Sequence, residues 1–197
     1  MKSDAKPSDE KPILAFKTKK AWASWLEKNH DRSSGVWLRL AKKGTSQKSP
    51  SRDEALGAAL CYGWIDGQAK SEGDETWLQK YTPRGKRSIW SKRNREKVQA
   101  LIESGEMRPA GLAETERAKK DGRWDAAYDS PSKIAVPHDL KKLLDKNIKA
   151  RSFFETLDSR NRYAILFRIH TAKKAETREK RLKQFVEMLE RGEKIHP

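Results

Sequence analysis

The sequence predicts an α+β fold, in which a small antiparallel sheet packed by helices is followed by an all-helical C-terminal domain. Three observations predict it. Short alternating runs such as Val36-Trp37-Leu38-Arg39-Leu40 read as strands. Amphipathic stretches opened by Ser or Pro and stopped by Gly read as helices. Beyond Pro137 only helical spacing remains, ending in Leu182, Phe185, Val186 and Leu189 at i, i+3, i+4 and i+7.

Residues 1–12 are polar and punctuated by Pro, and read as a disordered tail. Residues 13–132 read as the α+β domain and 133–197 as the helical one. From Thr18 to Asn29, Ala21, Trp22, Trp25 and Leu26 form one helical stripe. Ser51-Arg52-Asp53-Glu54 is a capping box opening a helix that Gly63 ends, with Ala55, Leu56, Ala59 and Leu60 inward. Trp64 to Gly67 reads as a strand and turn, pairing as a hairpin with the alternating run from Thr76 to Thr82. Ser91 is placed to cap a helix with Val98, Leu101 and Ile102 inward. Pro109 suits the first position of the next helix, which closes near Asp121-Gly122, and 123–133 reads as a loop. Later helices are expected from Pro137 with Leu140, Leu143, Leu144 and Ile148 inward, around Phe153, Phe154 and Leu157, and from Ser159 to about Lys174. In the last of these Tyr163, Leu166, Phe167 and His170 share a stripe.

The hydrophobic fraction is 35% and the charged fraction 37%, yet seven tryptophans can build a core from few residues. Cys61 is the only cysteine, which excludes an internal disulfide or a cysteine-based zinc cluster and fits a reducing compartment. The first residues lack an apolar core, so they read as neither signal peptide nor anchor, and no apolar run is long enough for membrane insertion. A cytoplasmic location is expected. The net charge of +16 suits an anionic partner, a small molecule or an acidic protein, and equally suits plain solubility.

The basic residues concentrate between Lys80 and Lys97, where eight cations face Glu96 alone. Cations in the first turns of a helix oppose its dipole unless an anion joins them. Arg84, Arg87, Ser88, Trp90, Ser91, Arg93 and Asn94 are therefore the candidate anion-binding residues, with a solvated basic face as the plainer reading. Trp77, Tyr81 and Trp90 among these cations also suit nucleic acid, but no RNA- or DNA-binding motif accompanies them and that reading is not favoured. Cys61 stands at a helix C-terminus, where the dipole disfavours a thiolate, so a small buried hydrophobe is its simpler role. Asp66 before Gly67 reads as a turn residue. Arg178 and Arg181 open the last helix and are placed to dock on the N-terminal domain. His30, His138, His170 and His196 are far apart, and no metal site, phosphate loop or nucleophile elbow is present, so no metal or cofactor is expected.

Three passages together resemble a known family. Ala59-Leu60-Cys61-Tyr62-Gly63-Trp64-Ile65-Asp66-Gly67 is similar to the ALCFGWIDG signature of YdeI/OmpD-associated, bacteriocin-protection proteins, with Tyr62 where Phe is common. Thr82-Pro83-Arg84, Ser88-Ile89-Trp90-Ser91 and Asn94 resemble its next block, and Asp121-Gly122-Arg123-Trp124 resembles the block after that. Phe153-Phe154, Leu157, Arg162 and Glu176-Thr177-Arg178 with Arg181 resemble its helical C-terminal domain. The resemblance implies a part in envelope stress or peptide resistance and an association with the porin OmpD. It brings no agreed reaction, substrate or cofactor. Its motif residues Cys61, Trp64, Asp66 and Trp124 make a second candidate pocket. The resulting expectation is a non-enzymatic protection protein that binds an anion through the basic segment. An enzyme using Cys61, Asp66 and Arg84 is the competing class, and a nucleic-acid-binding protein a third.

Overall fold

The computed structural model describes residues 11–197. The expected tail falls mostly on residues outside that range. Pro12 already borders strand β1 (Ile13–Ala15), which lies parallel to β2 (Val36–Ala41), and helix α1 (Lys19–Asn29) connects the two. After α2 (Arg52–Cys61) come β3 (Trp64–Glu72) and β4 (Thr76–Pro83), giving the order β1-β2-β4-β3. The sheet is thus mixed, with one parallel edge pair, where a purely antiparallel one was expected. Three residues are too few to show alternation, so β1 leaves no period-2 signal in the sequence.

Helices α3 (Lys92–Glu103) and α4 (Pro109–Lys120) come next, and then α5 (His138–Lys146), α6 (Ile148–Thr156), α7 (Ser159–His170) and α8 (Ala175–Glu190). The chain forms two compact units. One runs to Ser88 and resumes over Asn94–Asp125; the other joins Ile89–Arg93 to Ala126–Pro197.

In the first unit the helix starts obey capping chemistry. Thr18 accepts the Ala21 N–H, and Ser51 and Glu54 form the reciprocal capping box. The buried face of α1 presents Trp22 and Leu26 to the core. Trp22 stacks on Trp25 at 5.5 Å between centroids with a 12° interplanar angle, and Trp25 meets Trp64 edge-on at 6.0 Å. Both buried indoles use their polar edge, Trp22 Nε1 donating to Ala55 O and Trp64 Nε1 to His30 O, each at 3.0 Å. Few residues thereby fill the core of a chain so rich in charge.

Asp66-Gly67 is not a turn. Strand β3 continues through it with a register shift between Asp66 and Ala69, and Gln79 Nε2 from β4 donates to the carbonyls of Gly67 and Gln68 at 2.9 and 3.1 Å. A buried side-chain amide supplies the bonds that a bulge removes from the ladder. The reversal comes later, at Gly73, whose φ is +62°.

Helix α4 packs on α2 at backbone range. Arg108 N donates to Cys61 O at 3.2 Å, and a Cβ on Gly111 would stand 2.3 Å from that same oxygen. Only a glycine permits this approach. Gly63, at φ +73°, ends α2 beside the same helix.

The second unit has its own core, in which Leu140, Leu144, Phe154, Ile165, Leu166, Ile169, Leu182, Phe185 and Leu189 pack together. Two expectations fail here. Ile148 is 69% exposed, because Asn147 ends α5 and its side chain accepts the Ala150 N–H to start α6. On α7 the fully buried apolar positions are Ile165, Leu166 and Ile169, while Tyr163 and Phe167 are half-buried and His170 is exposed. Arg178 on α8 clasps Asp139 on α5, with Nε to Oδ2 at 2.6 Å and Nη2 to Oδ1 at 3.0 Å.

Replacing Gly111 by Ala should destabilise the protein by about 1–3 kcal/mol, because neither backbone can retreat without moving its helix; urea unfolding measures this, and an unchanged midpoint would contradict the contact. The hydrogen bonds from Arg178, working against burial, hold Asp139 below the usual carboxylate range. Their stabilisation is therefore present above about pH 4 and lost as pH falls through the lowered folded-state value. Asp139→Asn should cost about 1 kcal/mol or less at neutral pH, since the pair is partly exposed, and should flatten the acid limb of the stability curve.

Candidate anion-binding site

The end of β4 sets the site. Arg84 N donates to Gly63 O at 3.0 Å, which anchors the chain as it leaves the sheet. A tight turn comes next, with Ser88 N donating to Gly85 O and Gly85 N to Ser88 Oγ, both at 2.9 Å. Ser88 is thus committed to shaping the loop that carries exposed Lys86 and Arg87.

Onto this loop α4 directs an ionic cluster. Glu114 and Arg117, three residues apart, face the same way and are ion-paired. Arg117 Nη2 also donates to Arg84 O at 3.3 Å. Arg123 Nη1 donates to Ser88 O at 2.8 Å and to Glu114 Oε1 at 3.2 Å, and its Nε meets both Asp121 oxygens at 2.8 Å. Arg84, Arg123 and Glu114 are only 6, 5 and 8% exposed. Burial opposes the charge of Arg123, but the bonds to Asp121 and Glu114 prevail and raise its pKa. The guanidinium groups of Arg117 and Arg123 thus share the Glu114 carboxylate, and Asp121 pairs with Arg123 as well. Arg117 Nε and Arg123 Nη2 are buried with no hydrogen-bond partner. An unsatisfied buried donor on a charged group is costly, and an anion is the complement it lacks.

The other basic residues of the segment are differently engaged. Trp90, Ser91 and Arg93 belong to the second unit, where Ser91 bridges to Tyr128 and Lys92 N donates to Tyr128 O at 2.9 Å. Lys92 Nζ pairs with Asp129 at 2.8 Å. The helix start expected to offer open N–H groups and unbalanced cations is therefore already partnered at Lys92. Asn94 returns the chain to the first unit, and Arg95 donates to Trp124 O at 2.8 Å while its guanidinium faces the Trp124 ring. Of the seven expected residues, the structure ties Arg84 and Ser88 directly to the cluster. Glu114, Arg117 and Arg123 complete it and were missed. Arg123 stood in the Asp-Gly-Arg-Trp motif, and Glu114 and Arg117 show the spacing of a helical ion pair.

Two family models match the chain. Residues 14–114, just over half of it, match one described as a domain of unknown function, DUF8412. Residues 133–192 match one described as bacteriocin-protection, YdeI or OmpD-associated. The chain belongs to the DUF8412 family, and its C-terminal stretch is similar to YdeI/OmpD-associated proteins. No curated protein and no solved structure matches it. The YdeI/OmpD-associated match points to a bacteriocin-protection type of role. The motifs around Cys61 and Arg84 lie inside the DUF8412 match, and Arg178 and Arg181 inside the other.

In this DUF8412 protein the four residues of the second candidate pocket have separate surroundings. Cys61 is 5% exposed, and burial is the main cause that pushes its thiol pKa up, so the neutral thiol is the resting form. Trp64 is part of the aromatic core. Asp66 lies in β3 opposite Tyr81, with Arg52 at 3.4 Å from its carboxylate. Trp124 N donates to Ala118 O, and Arg95 and Lys119 lie against its ring. Each motif residue is thus held by a different set of partners, which suits scaffolding. Arg178 and Arg181, the residues expected to dock on the N-terminal domain, make contacts inside the helical unit. Arg178 holds Asp139 and donates to Ile169 O at 2.8 Å, while Arg181 donates to Arg168 O. Among the described residues no three His, Cys, Asp or Glu side chains form a metal-binding group.

In the folded protein Cys61 should resist a thiol reagent such as Ellman's and react fully in denaturant, and Cys61→Ser should leave any protective activity intact. Rapid native labelling, or loss of activity in Cys61→Ser, would reinstate a reactive thiol.

Proposed function

We propose that this chain is a non-enzymatic, protection-type binding protein whose N-terminal domain holds an anionic group at Arg84, Arg117 and Arg123, on the turn closed by Ser88. The observation that carries this reading is the pair of buried donors, Arg117 Nε and Arg123 Nη2, that lack a hydrogen-bond partner beside Glu114. A phosphate or carboxylate, from a small molecule or an acidic protein segment, supplies acceptors in the planar geometry that guanidinium prefers. Exposed Lys86 and Arg87 on the adjoining turn, and the net charge of +16, add long-range attraction for such a partner. Peptide resistance then results from capturing or positioning an acidic partner, with no bond made or broken. No helix among the described residues is long and apolar enough to cross a membrane.

The test is thermal unfolding with phosphate, citrate or a short acidic peptide. A ligand that binds only the folded state raises the melting temperature with concentration. Stabilisation by at least one of the three is expected, abolished in Arg117→Gln, whose half-exposed side chain can be changed with little harm to the core. Absence of any shift in the parent protein, or an undiminished shift in Arg117→Gln, would remove the anion site.

A further inference from the structure

Helix α7 borders a cavity that lies entirely within the second unit. We propose that it binds a small aromatic carboxylate. The cavity has a volume of about 470 Å³ and is bordered by Pro131, Arg160, Tyr163, Phe167, Arg168 and His196. That volume is in the range of small-molecule sites, roughly 300–1,000 Å³.

Its floor is aromatic by construction. Residues 160, 163, 164, 167 and 168 recur at helical spacing and so line one face of α7, opposite the face that Ile165 and Ile169 bury in the core. Tyr163 and Phe167 have centroids 5.5 Å apart at 37°, and Tyr128 backs Phe167 edge-on at 4.9 Å. The two rings are therefore braced, and each keeps a half-buried surface that no core residue covers. A braced, partly exposed aromatic pair is a stacking platform for another ring. Burial pushes the Tyr163 hydroxyl up to about 12, so it remains a neutral donor across the physiological range.

The borders are cationic. Arg160 and Arg168 stand a little over two turns apart on the same face, and the cavity lining contains no Asp or Glu. Among the described residues neither arginine takes part in an ion pair; the one side-chain bond of Arg168 runs to Ala164 O at 3.2 Å. A ring set on Phe167 and Tyr163 places its carboxyl substituent at one guanidinium, where charge-assisted hydrogen bonds form. A neutral aromatic leaves both cations unused, and a simple anion leaves the rings unused. This site shares no residue with the Arg84–Arg123 cluster, so either can fail without the other.

Calorimetric titration of the full chain with indole-3-acetate, indole-3-acetamide and acetate tests it. Indole-3-acetate should bind about tenfold or more tightly than either analogue, the scale of one charge-assisted interaction. The double variant Arg160→Gln/Arg168→Gln alters only exposed side chains and should erase the preference for acid over amide. Phe167→Leu should weaken both indoles alike, and Arg117→Gln should change nothing. Absence of saturable binding at millimolar indole-3-acetate, equal affinity for the amide, or an undiminished preference in the double variant would overturn the proposal.

Discussion

Everything proposed for the N-terminal domain depends on how closely two helices approach. Gly111 brings the backbone of α4 against the last carbonyl of α2, and Arg108 N bonds the same oxygen. That contact fixes both the height and the rotation of α4. Arg117 consequently reaches the chain leaving β4 and Glu114 reaches Arg123, which lies just past the helix and donates to Ser88 O. A side chain at position 111 would push the helix outward and carry the carboxylate away from its arginines. The electrostatics of the site are in this sense a product of packing, because the ionic groups are placed by an apolar, steric event.

The cluster also shows why buried charge is poor evidence for stability alone. Moving guanidinium groups out of water costs several kcal/mol each, recovered only when every donor is met. Here Glu114 serves two arginines and Asp121 mainly one, and two nitrogens are left over. Hydrophobic residues of similar volume would fill the same space at lower cost. Retaining arginines under these conditions is an arrangement suited to a guest with oxygens to offer.

Much of the fold was legible in the sequence because its signals are local. The capping box at Ser51 and Glu54, the proline at the start of α4 and the glycine after α2 act within a few residues, and the structure realises each. What escaped were features decided across the chain. The bulge at Asp66–Ala69 depends on Gln79 from the next strand, and a parallel edge strand of three residues depends on its neighbour for definition. Asn147 divides what periodicity joins, because its side chain caps a new helix more favourably than the old one continues. The candidate site was half visible for the same reason. Arg84 and Ser88 lie in a conspicuous run of cations, whereas Arg123 looked like loop and Glu114 like one charge among many. Charge density along a sequence locates cations, but only the fold decides which of them lack a counterpart.

The bridge between Ser91 and Tyr128 has a consequence for how such proteins diversify. A short piece of chain, Ile89–Arg93, departs from the middle of one folding unit and serves in the other. The C-terminal unit is therefore not a contiguous cassette, and the homologous stretch from 133 to 192 is smaller than the body that folds. Recombination that transplants that stretch alone leaves behind both the rung supplied by Ser91 and the Tyr128 that receives it. Lineages that shuffle this domain must either carry the extra segment along or evolve a substitute for it.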